Sequence, residues 1–214
     1  MDEGSEGPAS KMLGKLIGLI RSMDDYLHSL LDLEDLKEIS RRYVVTNSFD
    51  SVLMILGVIV GSYSTGVSEP SVIVGLISAG ALSILLSGFI GTYISERAER
   101  ELRIRELERA VLMELDETLI GKLERGKAFI IAFMSGGVPS LVVMLLSIPF
   151  QLCRYGFLNI EHSYLSSVAE ALILLSVMGA YLGSLSGGSK LAYALTTLGA
   201  GILLVVVATW LGVA

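Results

Sequence analysis

Residues 44–63 read VVTNSFDSVLMILGVIVGSY, an apolar run long enough to cross a bilayer that carries one carboxylate, Asp50, inside it. At about 100° per residue, Asn47, Asp50, Ser51, Met54, Gly57 and Gly61 share an arc of roughly 120° on a helix. An ionised Asp near mid-bilayer costs about 2.5–3.5 kcal/mol, so this face is expected to turn toward protein or a wet cavity. Gly57 and Gly61, in GxxxG spacing, predict close approach of another helix on the same side. The run therefore predicts a helix-lined polar site that binds an ion or a proton. The plainer alternative is a protonated Asp50 that hydrogen-bonds a neighbouring helix.

The rest of the 214-residue chain fits a membrane protein: 52% of it is hydrophobic and only 18% charged, below the roughly 25% of a soluble domain. Its single cysteine, Cys153, cannot form an internal disulfide, and no Cys/His zinc spacing is present. A net charge of -6 without a basic, aromatic-interleaved patch excludes a nucleic-acid partner. The N-terminus lacks the pattern of a signal peptide, because charge interrupts its first apolar stretch.

Residues 1–10 are rich in Gly, Ser and acid and predict a disordered tail. Residues 11–42 form an amphipathic segment, with Leu13, Leu16, Ile17, Ile20, Met23 and Leu27 at helical spacing between charges. It is expected to lie in the interface or on the cytoplasmic face, with His28 as a structural residue. Residues 43–94 hold the first two spans. The second carries Gly75, Ala79, Ser83, Ser87 and Gly91, a ladder expected to pack against the small face of the first span.

Residues 95–127 switch to charged composition and predict a cytoplasmic helix laced with i,i+4 pairs such as Glu96 with Arg100. Glu114 and Glu117, at i,i+3 and preceded by Met113, are candidate metal ligands there. Residues 128–214 hold spans three to five. The third is expected to be interrupted at Ser135-Gly136-Gly137 and Pro139, freeing carbonyls that a cavity or partner must satisfy. The fourth carries a second intramembrane acid, Glu170, a candidate proton relay, and a ladder of Ser176, Ala180, Ser184 and Gly188. Cys153, Glu161 and His162 match no metal cage and are read as surface residues. The fold class is thus all-α integral membrane, with five transmembrane helices, an N-terminal amphipathic helix and a charged cytoplasmic helix.

Several stretches resemble the vacuolar iron transporter family, along roughly Arg41 to the C-terminus. Asp50-Ser51 followed by Leu56-Gly57-Val58 and Gly61, the second-helix ending Ser87 to Ser95, and Met113-Glu114-x-x-Glu117 are similar to that family's motifs. Gly88 and Thr92 stand where the family has a transport-site methionine and a glutamate. The resemblance implies a homodimer with the ion path between first helices, exchanging a divalent metal for protons. On this reading the chain is not an enzyme and needs no cofactor. Fe2+ or Mn2+ is its transported substrate, and Asp50, Met54 and Asn47 are the membrane ligands, with Met113, Glu114 and Glu117 collecting metal. The alternative is a non-conducting scaffold or interaction protein on such a fold.

With the N-terminus inside a cell membrane and the C-terminus outside, 15 of the 16 Lys and Arg residues fall on the inner side. In a Cys153→Ser background, a cysteine placed at Glu161 should react with an impermeant thiol reagent from outside and one at Glu106 should not. The reverse pattern would overturn the orientation.

Overall fold

A computed structural model describes residues 33–112, 114 and 118–212, and among them it is helical without a strand. The predicted tail, most of the amphipathic segment and His28 lie outside the described residues. The helices are α1 (Leu33–Ser64), α2 (Pro70–Val111), α3 (Leu119–Leu145), α4 (Ile148–Arg154), α5 (Ile160–Leu185) and α6 (Lys190–Gly212). Five of them are long and apolar enough to cross a membrane, namely α1, α2, α3, α5 and α6.

Local chemistry explains where these helices begin and end. Pro70 opens α2 in the first turn, where its missing N–H costs no helical bond. After α1, Val67 N donates to Ser62 O and Gly66 N to Tyr63 O, a Schellman closure in which Gly66 supplies φ of 73°. Glycine closes α4 and α5 in the same way, at Gly156 and Gly187.

α1 is the central helix, touching α2, α3, α5 and α6. Its Val52, Ile55, Leu56 and Ile59 are fully buried and form the core with Ile73 and Ile77 of α2, Val143 and Leu146 from the end of α3, and Ala171 and Leu175 of α5. α2 lies chiefly on α3, and α6 chiefly on α5. Tyr164 ties one end of the bundle together. Its hydroxyl donates to Val67 O at 2.7 Å, and its ring meets Tyr63 and Phe150 edge-on.

Within the chain, the small-residue ladders do not make the contacts that their spacing predicts. Gly75, Ala79, Ser83, Ser87 and Gly91 are all exposed in the chain, because α2 turns a neighbouring face inward. There, a Cβ on Gly88 would stand 2.8 Å from Gly136 Cα, and one on Gly80 would stand 2.7 Å from Ile55 Cδ1. Likewise Gly179 and Gly183, not Ser176, Ala180, Ser184 and Gly188, bring α5 against the start of α6. A Cβ on Gly183 would lie 2.8 Å from Lys190 Cα. Gly57 meets only Leu204 at 4.0 Å, and nothing lies within 4 Å of a Cβ on Gly61, so their GxxxG spacing carries no backbone contact within the chain.

The expected interruption at Ser135 to Pro139 is also displaced. α3 runs through Pro139 and breaks instead at Leu146–Ser147, just before Pro149 opens α4. The break is sealed by serines: Ser167 Oγ donates to Leu146 O at 2.8 Å, Ser163 Oγ to Pro149 O at 3.0 Å, and Ser147 Oγ to Met144 O at 2.7 Å.

The α2–α3 crossing is a close backbone approach that a substitution can test. Gly136→Ala would push a methyl into the Leu85 carbonyl oxygen and to 2.7 Å from the Phe89 nitrogen, which backbone cannot relieve cheaply. It should lower stability in detergent by about 1–3 kcal/mol, the usual cost of overpacking. Gly126→Ala, on the same helix with open space around it, should be neutral or gain up to about 1 kcal/mol from helix propensity. Equal thermal stability of the two variants would contradict the crossing.

Candidate functional site in the groove between the first two helices

Pro139 has no backbone N–H, so Ser135 O, four residues earlier in α3, loses its helical donor. Asn47 of α1 replaces it. The Asn47 Nδ2 donates to Ser135 O at 3.2 Å and to Ser135 Oγ at 2.7 Å. A carbonyl can only accept, which orients the amide with Nδ2 toward α3 and leaves Oδ1 on the other side. Ser135 Oγ, in a residue with no exposure, lies 2.7 Å from Thr92 Oγ1 of α2. Three helices are joined by side chains that satisfy one another.

This triad floors an open groove of about 330 Å³, with Asp50 and Ser51 on the α1 wall and Ser87, Gly88 and Gly91 on the α2 wall. Asp50 is exposed at its mouth. The carboxylate thus faces a polar hollow on the outside of the single chain. What the groove presents is oxygen: a carboxylate, an amide carbonyl and hydroxyls.

Of the other residues singled out in the sequence, Asn47 joins Asp50 and Met54 does not. Met54 is 47% exposed and turns toward Gly80, where its Cε would lie 3.8 Å from an added Cβ. Gly88 and Thr92, the positions of the resembled family's methionine and glutamate, are committed to the helix crossing and to Ser135. A methionine side chain at position 88 would start against Gly136 backbone. Glu170 is half-buried on α5 and does not line the groove. Glu114 is exposed beside a hollow of about 440 Å³ that alternates Glu101, Glu108 and Glu114 with Arg105 and Arg125. Met113 and Glu117 lie outside the described residues. Among the described residues, no three of His, Cys, Asp and Glu gather as a metal cluster.

One turn along α2 from Thr92 lies a second polar layer. Arg100 pairs with Glu96 at 3.6 Å and with Glu124 of α3, and Lys127 Nζ lies 2.7 Å from the other Glu124 oxygen. The Tyr43 side chain of α1 lies near Glu96. Glu96, Arg100 and Lys127 are buried, and the two acids balance the two bases, so the layer carries no net charge. The pair Glu96–Arg100 follows from i,i+4 spacing. The partnership with Glu124 and Lys127 does not, since these residues come from another helix. Ser135 was equally hidden as a site residue, although Pro139 four positions later was its signal.

A double substitution isolates the freed carbonyl. Asn47→Ala should cost about 1–3 kcal/mol by leaving Ser135 O unsatisfied in a buried position. Pro139→Ala restores an N–H to the same carbonyl within α3, so the double variant should recover much of that loss in chemical unfolding. Strictly additive effects would show that the Asn47 amide does not serve the carbonyl that Pro139 vacates.

No family model matches the chain. It is similar to an uncharacterized protein of Methanocaldococcus jannaschii, with 24% identity over 152 residues that make up 70% of this chain and 76% of the relative.

Proposed function

We propose that this chain is a divalent-cation transporter that exchanges Mn2+ or Fe2+ for protons, with Asp50 as the carboxylate through which the cation passes. The observation that carries this reading is the setting of Asp50: a carboxylate within a span, open to a polar groove whose floor residues Asn47, Ser135 and Thr92 hold one another. Intramembrane acids of that kind mark ion and proton paths. The donors on offer are hard oxygens, namely Asp50, the Asn47 Oδ1 and the hydroxyls of Ser51 and Ser87, which suit Mn2+ better than the softer demands of Fe2+. Glu114, together with Met113 and Glu117, would gather metal at the basic end, which the charge bias puts in the cytoplasm.

The groove faces outward, and the exposed ladder from Gly75 to Gly91 runs beside it. Small residues in that spacing suit a second copy of the chain, which would wall the groove from lipid and place two Asp50 residues near each other. A second reading, a non-conducting scaffold, is favoured by Gly88 and Thr92, which serve packing where the resembled family has ligands.

Flux in liposomes separates the two readings. Wild-type protein should move Mn2+ across the membrane with counterflow of protons. Asp50→Asn keeps the shape and hydrogen-bonding capacity but not the charge, so it should leave the protein folded in detergent and abolish flux. Normal transport by the Asn variant would remove Asp50 from the ion path, and no divalent flux by the wild type would replace the transporter reading with the scaffold.

A further inference from the structure

At the end of the bundle where α1 begins, α1, α3 and α5 leave a cleft of about 380 Å³ that is separate from the Asp50 groove. All three helices are long and apolar enough to cross a membrane, so the cleft opens on a surface suited to a bilayer. Its rim carries Lys37 and Arg41, one turn apart on α1 and both exposed, with Tyr181 of α5 opposite. No acid lines it. Below the rim the wall is apolar, formed by Val44, Val45 and Met134.

Its floor holds Ser40, which is 2% exposed and whose Oγ has no hydrogen-bond partner. A buried hydroxyl without an acceptor is costly, and most such groups are satisfied in folded proteins. Here the unused donor, the two cations and the apolar wall converge on one opening. Each asks for a different part of the same ligand: an oxygen that only accepts, a negative charge, and a hydrocarbon chain.

We propose that this cleft is a binding site for an anionic membrane phospholipid. Its phosphate sits between Lys37 and Arg41 and accepts from Ser40 Oγ, while an acyl chain runs along Val44, Val45 and Met134. Basic clefts between membrane helices take acidic headgroups for this reason, since the phosphate gains two charge-assisted contacts without removing its chains from the bilayer. The site is distinct from the other basic residues at this end. Arg42, the next residue along α1, does not line the cleft and stands over the Tyr43 ring at 5.7 Å.

Native mass spectrometry of the full chain, purified in detergent and offered phosphatidylglycerol or phosphatidylcholine, tests the assignment. The wild type should retain phosphatidylglycerol in preference. Lys37→Ala and Arg41→Ala should each weaken retention about fivefold, the effect expected of one basic residue near an anionic surface. Ser40→Val should weaken it without changing charge, whereas Arg42→Ala should leave it unaltered. Arg41→Lys, which keeps the charge, should hold the lipid, and the melting temperature of each variant separates lost binding from lost folding. Equal retention of phosphatidylcholine would overturn the proposal. So would an Arg42→Ala loss equal to that of Arg41→Ala, or displacement of the lipid by millimolar inorganic phosphate, which would mark a free-anion site.

Discussion

The Ser135 carbonyl, left without its helical donor by Pro139, is the constraint on which the centre of this bundle depends. A bare carbonyl inside a membrane protein costs several kcal/mol, so some neighbour must supply an N–H or O–H. Asn47 does so, and the consequence is geometric. α1 is held in one rotation and one height against α3, which places Asp50, one turn further on, at the mouth of the groove. Gly136 next to that carbonyl lets α2 come in close enough for Thr92 to reach Ser135. One missing hydrogen bond in α3 therefore fixes the relative placement of three helices.

The ionic layer one turn away extends the same logic to charge. Four ionised groups with little exposure are tolerable only if their partners are held in place, and removing one of a buried pair typically costs about 3–5 kcal/mol. Here Glu124 of α3 bridges Arg100 of α2 and Lys127, so α2 and α3 each contribute. Its effect is to specify: α2 and α3 can pair in only one register that satisfies both the Gly88–Gly136 crossing and the Arg100–Glu124 contact. The extra length of α2, about 63 Å at 1.5 Å per residue, is what carries Arg100 beyond the apolar part of the span to make that contact.

Two open faces of the bundle differ in character. The Asp50 groove is negative and flanked by small residues, features that suit a cation and a close-packed second helix. The cleft at Lys37 and Arg41 is positive at its rim and apolar below, features that suit an acidic amphiphile. α1 serves both, because its residues near Asn47 are pinned to α3 while the turns before and after point to different gaps between its neighbours.

Much of this was legible in the chain itself. Five spans follow from composition and run length, since a bilayer imposes one thickness on any helix that crosses it. Asp50 and Asn47 stand out because a polar group in an apolar run is costly wherever it points, and helical periodicity alone puts them on one face. The glycine turns and the prolines at helix starts are likewise local. Tertiary structure decided which small face met which helix: two ladders of spacing four were read from the sequence, yet Gly80, Gly88, Gly179 and Gly183 on adjacent faces make the contacts. Small residues permit close approach on any face they occupy, so spacing names the possibilities and only the partner helix selects among them. For the same reason the partners of Asn47, Glu124 and Ser40 could not be read in advance, since each depends on an atom contributed, or withheld, by a helix far away in sequence.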